Sequence, residues 1–427
     1  MMRRVVITGL GPVTSTGVGK KDFLEGILDG RRCIREIPGN FERGYQFKSR
    51  YYSPCPHVDL DAYGFPSYYN KIMQDEDKLV LAAAALALKD AGFSVVRRED
   101  GFVAPDIMDA GVIVGIGMSS LETGFCSYLS HIVKDKSEIP SAMDIQQVRY
   151  NRMVVPMLMP NAVASWISIA HGLKGPSYTV NAACASGTVA VGQAYHAIRN
   201  GPQDVVLTGG VECMADSMGG IMRGFDVLGV LTRSADGVPY PFSKTSTGFL
   251  FAQGAACVLV LEEYQHALNR GAAIYAEIAD FQSNSDAHNI VQMDPSGAQI
   301  RRLLRDLKQG QTIDYLNAHG SGTAVNDSIE ADAIAAIFGP RADQPYVNST
   351  KGILGHTLGA SGALEIAVTA LAIKASRVHG NGVADPRENL NLVHTSIEAE
   401  VNTAISTSYG FGGHNAGVLL RKLQHEA

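Results

Sequence analysis

Short apolar runs alternate along the chain with stretches in which alanine and leucine recur at helical spacing. "RRVVITG" at 3–9, "DAGVIVGIG" at 109–117, "DVVLTGG" at 204–210 and "GAACVLVLEE" at 254–263 are β-branched or aliphatic runs, and each predicts a strand. The first is followed by glycines and a proline and reads as a strand running into a loop. Between strands, "DEDKLVLAAAALALKDAGF" at 75–93 opens on acidic residues and stops at glycine, as a helix does. The alternation predicts an α/β layered fold. The 45 glycines, many at strand ends, predict tight turns and close backbone approach.

Part of the pattern occurs twice. "CASGTVAVGQAYHAI" (184–198) lies over "GASGALEIAVTALAI" (359–373) without gaps, sharing Ala-Ser-Gly near the start and Ala-Ile at the end. Each helical run follows a β-prone run, "SYTVN" or "PYVNS", and each precedes a strand, one ending in "TGG" and one in "SYGFGG". Small-residue helices look alike, and the flanking strands are what favour a duplication. It divides the chain into residues 1–265 and 266–427, meeting where "EEYQHALNRGAAIYAEI" passes from strand through helix to strand. One segment breaks the alternation. Residues 120–165, with "MVVPMLMP", are rich in Met, Pro and mixed polar residues, and read as an excursion that covers a site or a partner surface.

Composition narrows the class. The chain has 427 residues, 46% apolar and 18% charged, with a net charge of −6, and carries no basic stripe for nucleic acid. No apolar run looks long enough for a membrane span, and the N-terminus lacks a signal-peptide pattern. Six scattered cysteines without CxxC spacing argue against a metal site or a disulfide framework and fit a reducing cytoplasm.

Candidate chemistry begins at Cys184, where a short strand turns into a small-residue helix. A helix N-terminus there favours a thiolate, and small neighbours permit a sharp turn with room for a thioester. An inert buried cysteine is the competing reading. Two histidines tip the balance. His319 follows a strand-like run in "TIDYLNAHGSGTAVND", and His356 lies in the glycine-rich "STKGILGHTLGASGAL" with Lys351 upstream. A lone histidine is ordinarily structural, but two at the carboxyl ends of predicted strands fit one site. Phe411 in "SYGFGGHNAGVLL" is flanked by glycines that let backbone and ring approach the same pocket.

With "NAACASG", "NAHGSGT" and "KGILGHTLGASG" in this order, the sequence resembles the elongating β-ketoacyl-acyl-carrier-protein synthases of the thiolase superfamily, over essentially its whole length. The resemblance implies a thiolase-like fold, five-layered α-β-α-β-α, from two pseudo-symmetric halves. It implies decarboxylative Claisen condensation of a Cys-bound acyl group with malonyl-acyl carrier protein, in fatty acid, polyene or type II polyketide synthesis. Cys184 resembles the family's nucleophile, His319 and His356 the decarboxylation pair, and Lys351, partnered by Glu330, the lysine that holds their network. Phe411 resembles the gatekeeper, with its N–H and that of Cys184 forming an oxyanion hole. Ser321 and Thr323 match hydroxyls that bond the phosphopantetheine arm. No metal or resident cofactor is implied. The implied partners are acyl carrier protein and a second subunit, giving a homodimer or a heterodimer with a chain-length-factor-like homologue, in the cytoplasm and without nucleic acid or membrane.

The sequence departs from the family at Ser243, Ser246 and Gln253, where an acidic or basic residue is usual, at Asn289 and Val291, where His and Thr are usual, and at His414, where Thr is usual. These changes point to a specialised synthase. A biosynthetic thiolase would need a later cysteine than Cys257, and a chain-initiating synthase an Asn in place of His356. A non-decarboxylating acyltransferase and a non-catalytic chain-length-determining subunit remain as alternatives.

Overall fold

The computed structural model describes residues 2–119, 121–132 and 152–423. Its ten principal strands are β1 (Val5–Val13), β2 (Gly111–Ile116), β3 (Ser177–Val180), β4 (Val205–Cys213), β5 (Gly254–Glu263), β6 (Ala276–Ser285), β7 (Tyr315–Asn317), β8 (Tyr346–Asn348), β9 (Thr403–Gly410) and β10 (His414–Arg421). The helices that matter here are α1 (Asp75–Asp90), α2 (Glu122–Ile132), α3 (Ala162–His171), α4 (Ser186–Arg199), α5 (Gly220–Leu228), α6 (Ala298–Lys308), α7 (Ala324–Phe338) and α8 (Ser361–Ala375).

The strands form one sheet in the order β8-β7-β9-β10-β6-β1-β5-β4-β2-β3. Read outward from the centre, β1-β5-β4-β2-β3 and β6-β10-β9-β7-β8 have the same order. They also have the same senses: β2 is parallel to β3 and β4, as β7 is to β8 and β9, and the remaining pairs are antiparallel. The two halves join through β1 and β6, where Val5–Ile7 pair with Ala276–Ile278.

Strand periodicity explains the layers. In β5, Val258 and Val260 face a core with α1, while Cys257, Leu259 and Leu261 face the central core. In β10, Val418 and Leu420 face the central core and Leu419 the core under α6 and α7. Strands buried on both faces read as unbroken apolar runs because alternate side chains enter different cores. Helices α4 and α8 fill the middle layer. The layers are therefore α1/α3, the β1–β5 half of the sheet, α4/α8, the β6–β10 half, and α6/α7.

Two expectations need correction. The first strand does not end at Gly9 but continues to Val13. Its glycines are there for the helix above: a Cβ on Gly11 would lie 1.9 Å from the Ala83 carbonyl oxygen, and one on Gly9 2.4 Å from that of Ala87. One run, Leu358–Ala375, is also long and apolar enough to cross a membrane, and it is 89% buried as the central helix. A helix apolar on every side belongs in a core as readily as in a bilayer.

The sheet's two edges differ. Edge strand β8 is covered by a bridge from Val347 to Leu392. Edge strand β3 lies open, with Ser177 and Tyr178 exposed. Of the segment 120–165, residues 120 and 133–151 lie outside the described residues. The rest carries exposed Leu121, Phe125, Tyr128, Val155 and Met159.

Candidate active site

Both middle-layer helices start from the same turn. A single 3-10 turn, Ala183–Ala185, precedes α4, and Leu358–Ala360 precedes α8. Ala183 (φ 50°) and Leu358 (φ 44°) occupy the left-handed region, which costs a non-glycine residue on the order of 1–2 kcal/mol. In each turn a serine hydroxyl repays part of that cost: Ser186 Oγ accepts from the Ala182 N–H at 2.9 Å, and Ser361 Oγ from the Thr357 N–H at 3.2 Å. Cys184 and Gly359 hold equivalent places.

The small residues around Cys184 serve mainly to let these two elbows touch. A Cβ on Gly187 would lie 2.8 Å from the Gly359 oxygen, one on Gly362 2.1 Å from Thr188 Oγ1, and one on Gly115 2.3 Å from the Ser186 carbonyl. To the sharp turn and the room for a thioester expected from the sequence, the structure adds this close approach.

Cys184 is buried in an apolar cluster with Met214, Met222, Phe249, Phe251 and Leu358. Burial pushes its thiol up to about 12, while Lys351 and the N–H groups of Phe411 and of Cys184 itself pull the other way. The expected helix-terminus thiolate is thus outweighed by desolvation, because the sulfur sits in the apolar cluster ahead of the first residue of α4. The oxyanion-hole pair expected from the sequence, the Phe411 and Cys184 N–H groups, converges on the sulfur.

The end of β9 ties the site together. Gly410 packs against the elbow, where a Cβ would lie 3.1 Å from the Cys184 nitrogen. The Tyr409 N–H donates to His319 Nδ1 at 3.3 Å. On the other loop, the Leu358 N–H donates to His356 Nδ1 at 3.3 Å. A nitrogen that accepts from a backbone N–H carries no proton, so both neutral imidazoles bear theirs on Nε2. Their ring centroids lie 5.4 Å apart. Burial, together with Lys351, holds both well below the ordinary histidine range. Phe249, from the Cys184 cluster, meets His356 edge-on at 5.0 Å.

Lys351 and Glu330 are both buried here, but they are not each other's partners. Lys351 Nζ pairs with Glu365, one turn into α8. The Glu330 carboxylate instead accepts from the N–H groups of His319 (2.9 Å) and Gly320 (2.8 Å). It lies on α7 under the His319 loop and fixes backbone, acting on Lys351 through its charge rather than through a direct ion pair. Burial pushes the Glu330 and Glu365 carboxyls up to about 7. Ser321 and Thr323 hydroxyls bond each other at 2.9 Å beside His319, Ser321 buried and Thr323 half-buried.

Three carboxylates escaped sequence reasoning. Asp327 accepts from the Phe242 and Gly322 N–H groups (2.7 and 3.1 Å), stapling "PFS" to "GSGT". Glu365 and Glu212 are buried, and burial pushes Glu212 up to about 8. The signal was present: each of the last two is a lone charge inside an apolar run.

The departures sit in structured places. Ser243, Thr245 and Ser246 close a local turn by their own hydrogen bonds. The Gln253 side chain accepts from the Cys55 N–H at 3.4 Å. Asn289 Oδ1 accepts from the Val291 N–H at 2.9 Å, shaping a loop whose Ile290 carbonyl accepts from the Gly412 N–H at 2.8 Å. The varied loop thus abuts the Phe411 loop. His414 is exposed at the start of β10.

A strained thiol elbow beside two neutral imidazoles, on a duplicated α/β fold, defines an acyl-condensing enzyme of the thiolase-like class. Sequence profiles of the beta-ketoacyl synthase N-terminal and C-terminal domains match residues 2–267 and 275–382. The chain belongs to the β-ketoacyl synthase family. It is 31% identical to 3-oxoacyl-[acyl-carrier-protein] synthase 2 of Staphylococcus aureus strain COL, covering 99% of each chain. It is 32% identical to a Streptomyces halstedii protein named as polyketide beta-ketoacyl synthase 1, covering 98% of each. Among solved structures it resembles a beta-ketoacyl synthase from Burkholderia phymatum STM815 (TM-score 0.84, 30% identity, 99% and 100% covered). It also resembles the ishigamide ketosynthase/chain length factor (TM-score 0.83, 27% identity, 99% and 100% covered).

Proposed function

We propose that this β-ketoacyl synthase condenses an acyl group on Cys184 with a malonyl unit, both delivered on acyl carrier protein, without a resident cofactor. The observation that carries the reading is the pair of Nε2–H imidazoles, each fixed by a backbone N–H at Nδ1.

In the first step Cys184 takes the acyl group, its S–H proton leaving with the carrier thiol. The malonyl C–C bond then breaks, carbon dioxide departs, and negative charge develops on the thioester oxygen. The Nε2–H groups of His319 and His356 are the donors for that oxygen. Burial keeps both rings neutral, and Lys351, paired to Glu365, adds to it, since a nearby cation disfavours an imidazolium. The carbanion attacks the acyl carbonyl, whose oxygen turns to the N–H groups of Cys184 and Phe411. The C–S bond breaks, and the Cys184 thiolate takes up a proton. Ser321 and Thr323 are the hydroxyls available to the pantetheine arm.

The acyl chain has an apolar destination. A cavity of about 520 Å³ between α2 and α5 is lined by Met118, Leu121, Phe125, Ile221, Phe225 and Leu228. Phe225 meets Phe249 edge-on at 5.7 Å and Phe251 at a tilt at 5.9 Å, which links the cavity to the Cys184 cluster. We assign the open edge β3 and the exposed residues of α2 and 153–159 to a subunit interface. A second copy or a homologous chain-length-setting subunit covers it, burying on the order of 2,000 Å² in total.

The test is intact mass after incubation with a panel of acyl-carrier thioesters, then malonyl-carrier. The acyl adduct is expected on wild type and absent from Cys184→Ala, with β-ketoacyl-carrier and carbon dioxide after the second addition. Loading that persists on Cys184→Ala would sink the assignment.

A further inference from the structure

Glu212 lies near the end of β4, inside its apolar run, and is wholly buried. Its Oε2 accepts from the N–H groups of Gly117 (3.1 Å) and Gly359 (2.9 Å), and its Oε1 from that of Met118 (2.9 Å). These donors come from opposite halves of the molecule. Gly117 and Met118 follow β2, and Met118 lines the apolar cavity. The Gly117 carbonyl accepts from Asn181 Nδ2 at 2.8 Å, and Asn181 Oδ1 accepts from the Ala183 N–H at 3.1 Å, at the Cys184 elbow. Gly359 belongs to the other elbow, next to Leu358, whose N–H fixes His356.

The contacts leave no slack. A Cβ on Gly117 would lie 2.4 Å from Glu212 Oε2, and one on Gly359 2.5 Å from the Gly117 nitrogen. The Cys184 N–H points to the nucleophile, whereas its counterpart, the Gly359 N–H, points to Glu212. An internal carboxylate fills the anion position of the second elbow.

We propose that Glu212 is a positioning residue that holds the His356 loop in register with the Cys184 elbow and the cavity wall, so that decarboxylation depends on it and acyl loading does not. This rests on the condensation reaction proposed above. Three N–H donors aimed at its two oxygens favour the carboxylate and pull the Glu212 carboxyl back against the upward push of burial, and charge-assisted bonds are roughly twice as strong as neutral ones. A glutamine there turns an amide donor toward backbone donors, so at least one of the three bonds is lost. The Cys184 elbow retains its own ties, from Ala182 to Ser186 and from Ala183 to Asn181. The His356 loop loses its link across the halves.

The test compares wild type, Glu212→Gln and Glu212→Asp. Loading is followed by intact mass, and carbon dioxide release from malonyl-carrier on pre-acylated protein. For Glu212→Gln the loading rate is expected to hold or to rise, since the Glu212 charge raises the Cys184 thiol, and the KM for malonyl-carrier is expected to hold. The decarboxylation kcat is expected to fall roughly 10- to 100-fold, the scale of a reacting group displaced by about 1 Å. Glu212→Asp keeps the charge but is one methylene shorter, and should fall between. A general structural role would depress loading and decarboxylation together, and that result overturns the proposal, as does a wild-type kcat in Glu212→Gln. If Glu212→Gln does not fold, the same comparison is read from Glu212→Asp. A wild type that releases no carbon dioxide fails the reaction and this proposal with it. An active wild type with unaffected variants fails this proposal alone.

Discussion

The elbow at Ala183–Ala185 and the elbow at Leu358–Ala360 share a left-handed residue, a serine that closes the turn, and a helix of small residues behind it. They differ in what occupies the middle. The first presents a thiol, with the Phe411 and Cys184 N–H groups around it. The second presents a bare glycine whose N–H is occupied by Glu212, and its neighbouring residues hold His356. One framework thus yields a nucleophile in one copy and a mount for a hydrogen-bond donor in the other. Duplicated backbone fixes where groups sit, and the side chains and their burial decide what each copy does.

The largest expected effect separates the two elbows by chemistry. His319→Ala or His356→Ala should still accept an acyl group on Cys184 but lose malonyl decarboxylation by a factor of about 10²–10³, the scale of one lost oxyanion donor. Carbon dioxide release that survives in both variants would refute their role, and an equal loss of loading would mean that the elbows do not divide the work.

A second pair of variants tests the packing difference. At 184 the elbow already carries a Cβ, so Cys184→Ala should leave the unfolding midpoint nearly unchanged. At 359 a Cβ would meet the Gly117 nitrogen at 2.5 Å and Glu212 at 2.9 Å, so Gly359→Ala should destabilise by about 1–3 kcal/mol. Denaturant unfolding of both variants checks this, and equal midpoints would break the comparison.

The mildest test is pH. Burial raises the Cys184 thiol, so the rate of acyl loading should climb as pH rises from 7 to 9 and the thiolate fraction grows. The histidines are depressed, and so are already neutral above their ordinary value of about 6.5. The two imidazoles should therefore cause no loss of decarboxylation from pH 8 to 6, and any fall in that window belongs to the raised carboxyls of Glu212, Glu330 and Glu365. The stability sign follows from the same depression. The unfolded chain binds protons below about 6.5 that the folded site refuses, so these two histidines make stability fall as pH drops through that range. A fall between pH 8 and 6.5 that persists in Glu212→Gln would count against neutral imidazoles in the site.

Much of this was legible in the residues. Strand and helix positions, the repeat, Cys184, His319, His356 and Phe411 all follow from local pattern and motif. Apolar periodicity and small-residue turns act over a few neighbours, so they survive in one dimension. Three features were decided by the folded chain alone. Lys351 pairs with Glu365 rather than Glu330, because α8 brings Glu365 beneath the lysine while α7 turns Glu330 toward the His319 backbone. The Cys184 thiol is raised, because aromatic and methionine side chains from distant segments desolvate it against the pull of Lys351 and two backbone N–H groups. Glu212 joins two loops that lie far apart in sequence. Burial and hydrogen-bond partnership depend on which distant surfaces meet. Motifs record which residues a site uses, and only packing sets the protonation state and the partner of each.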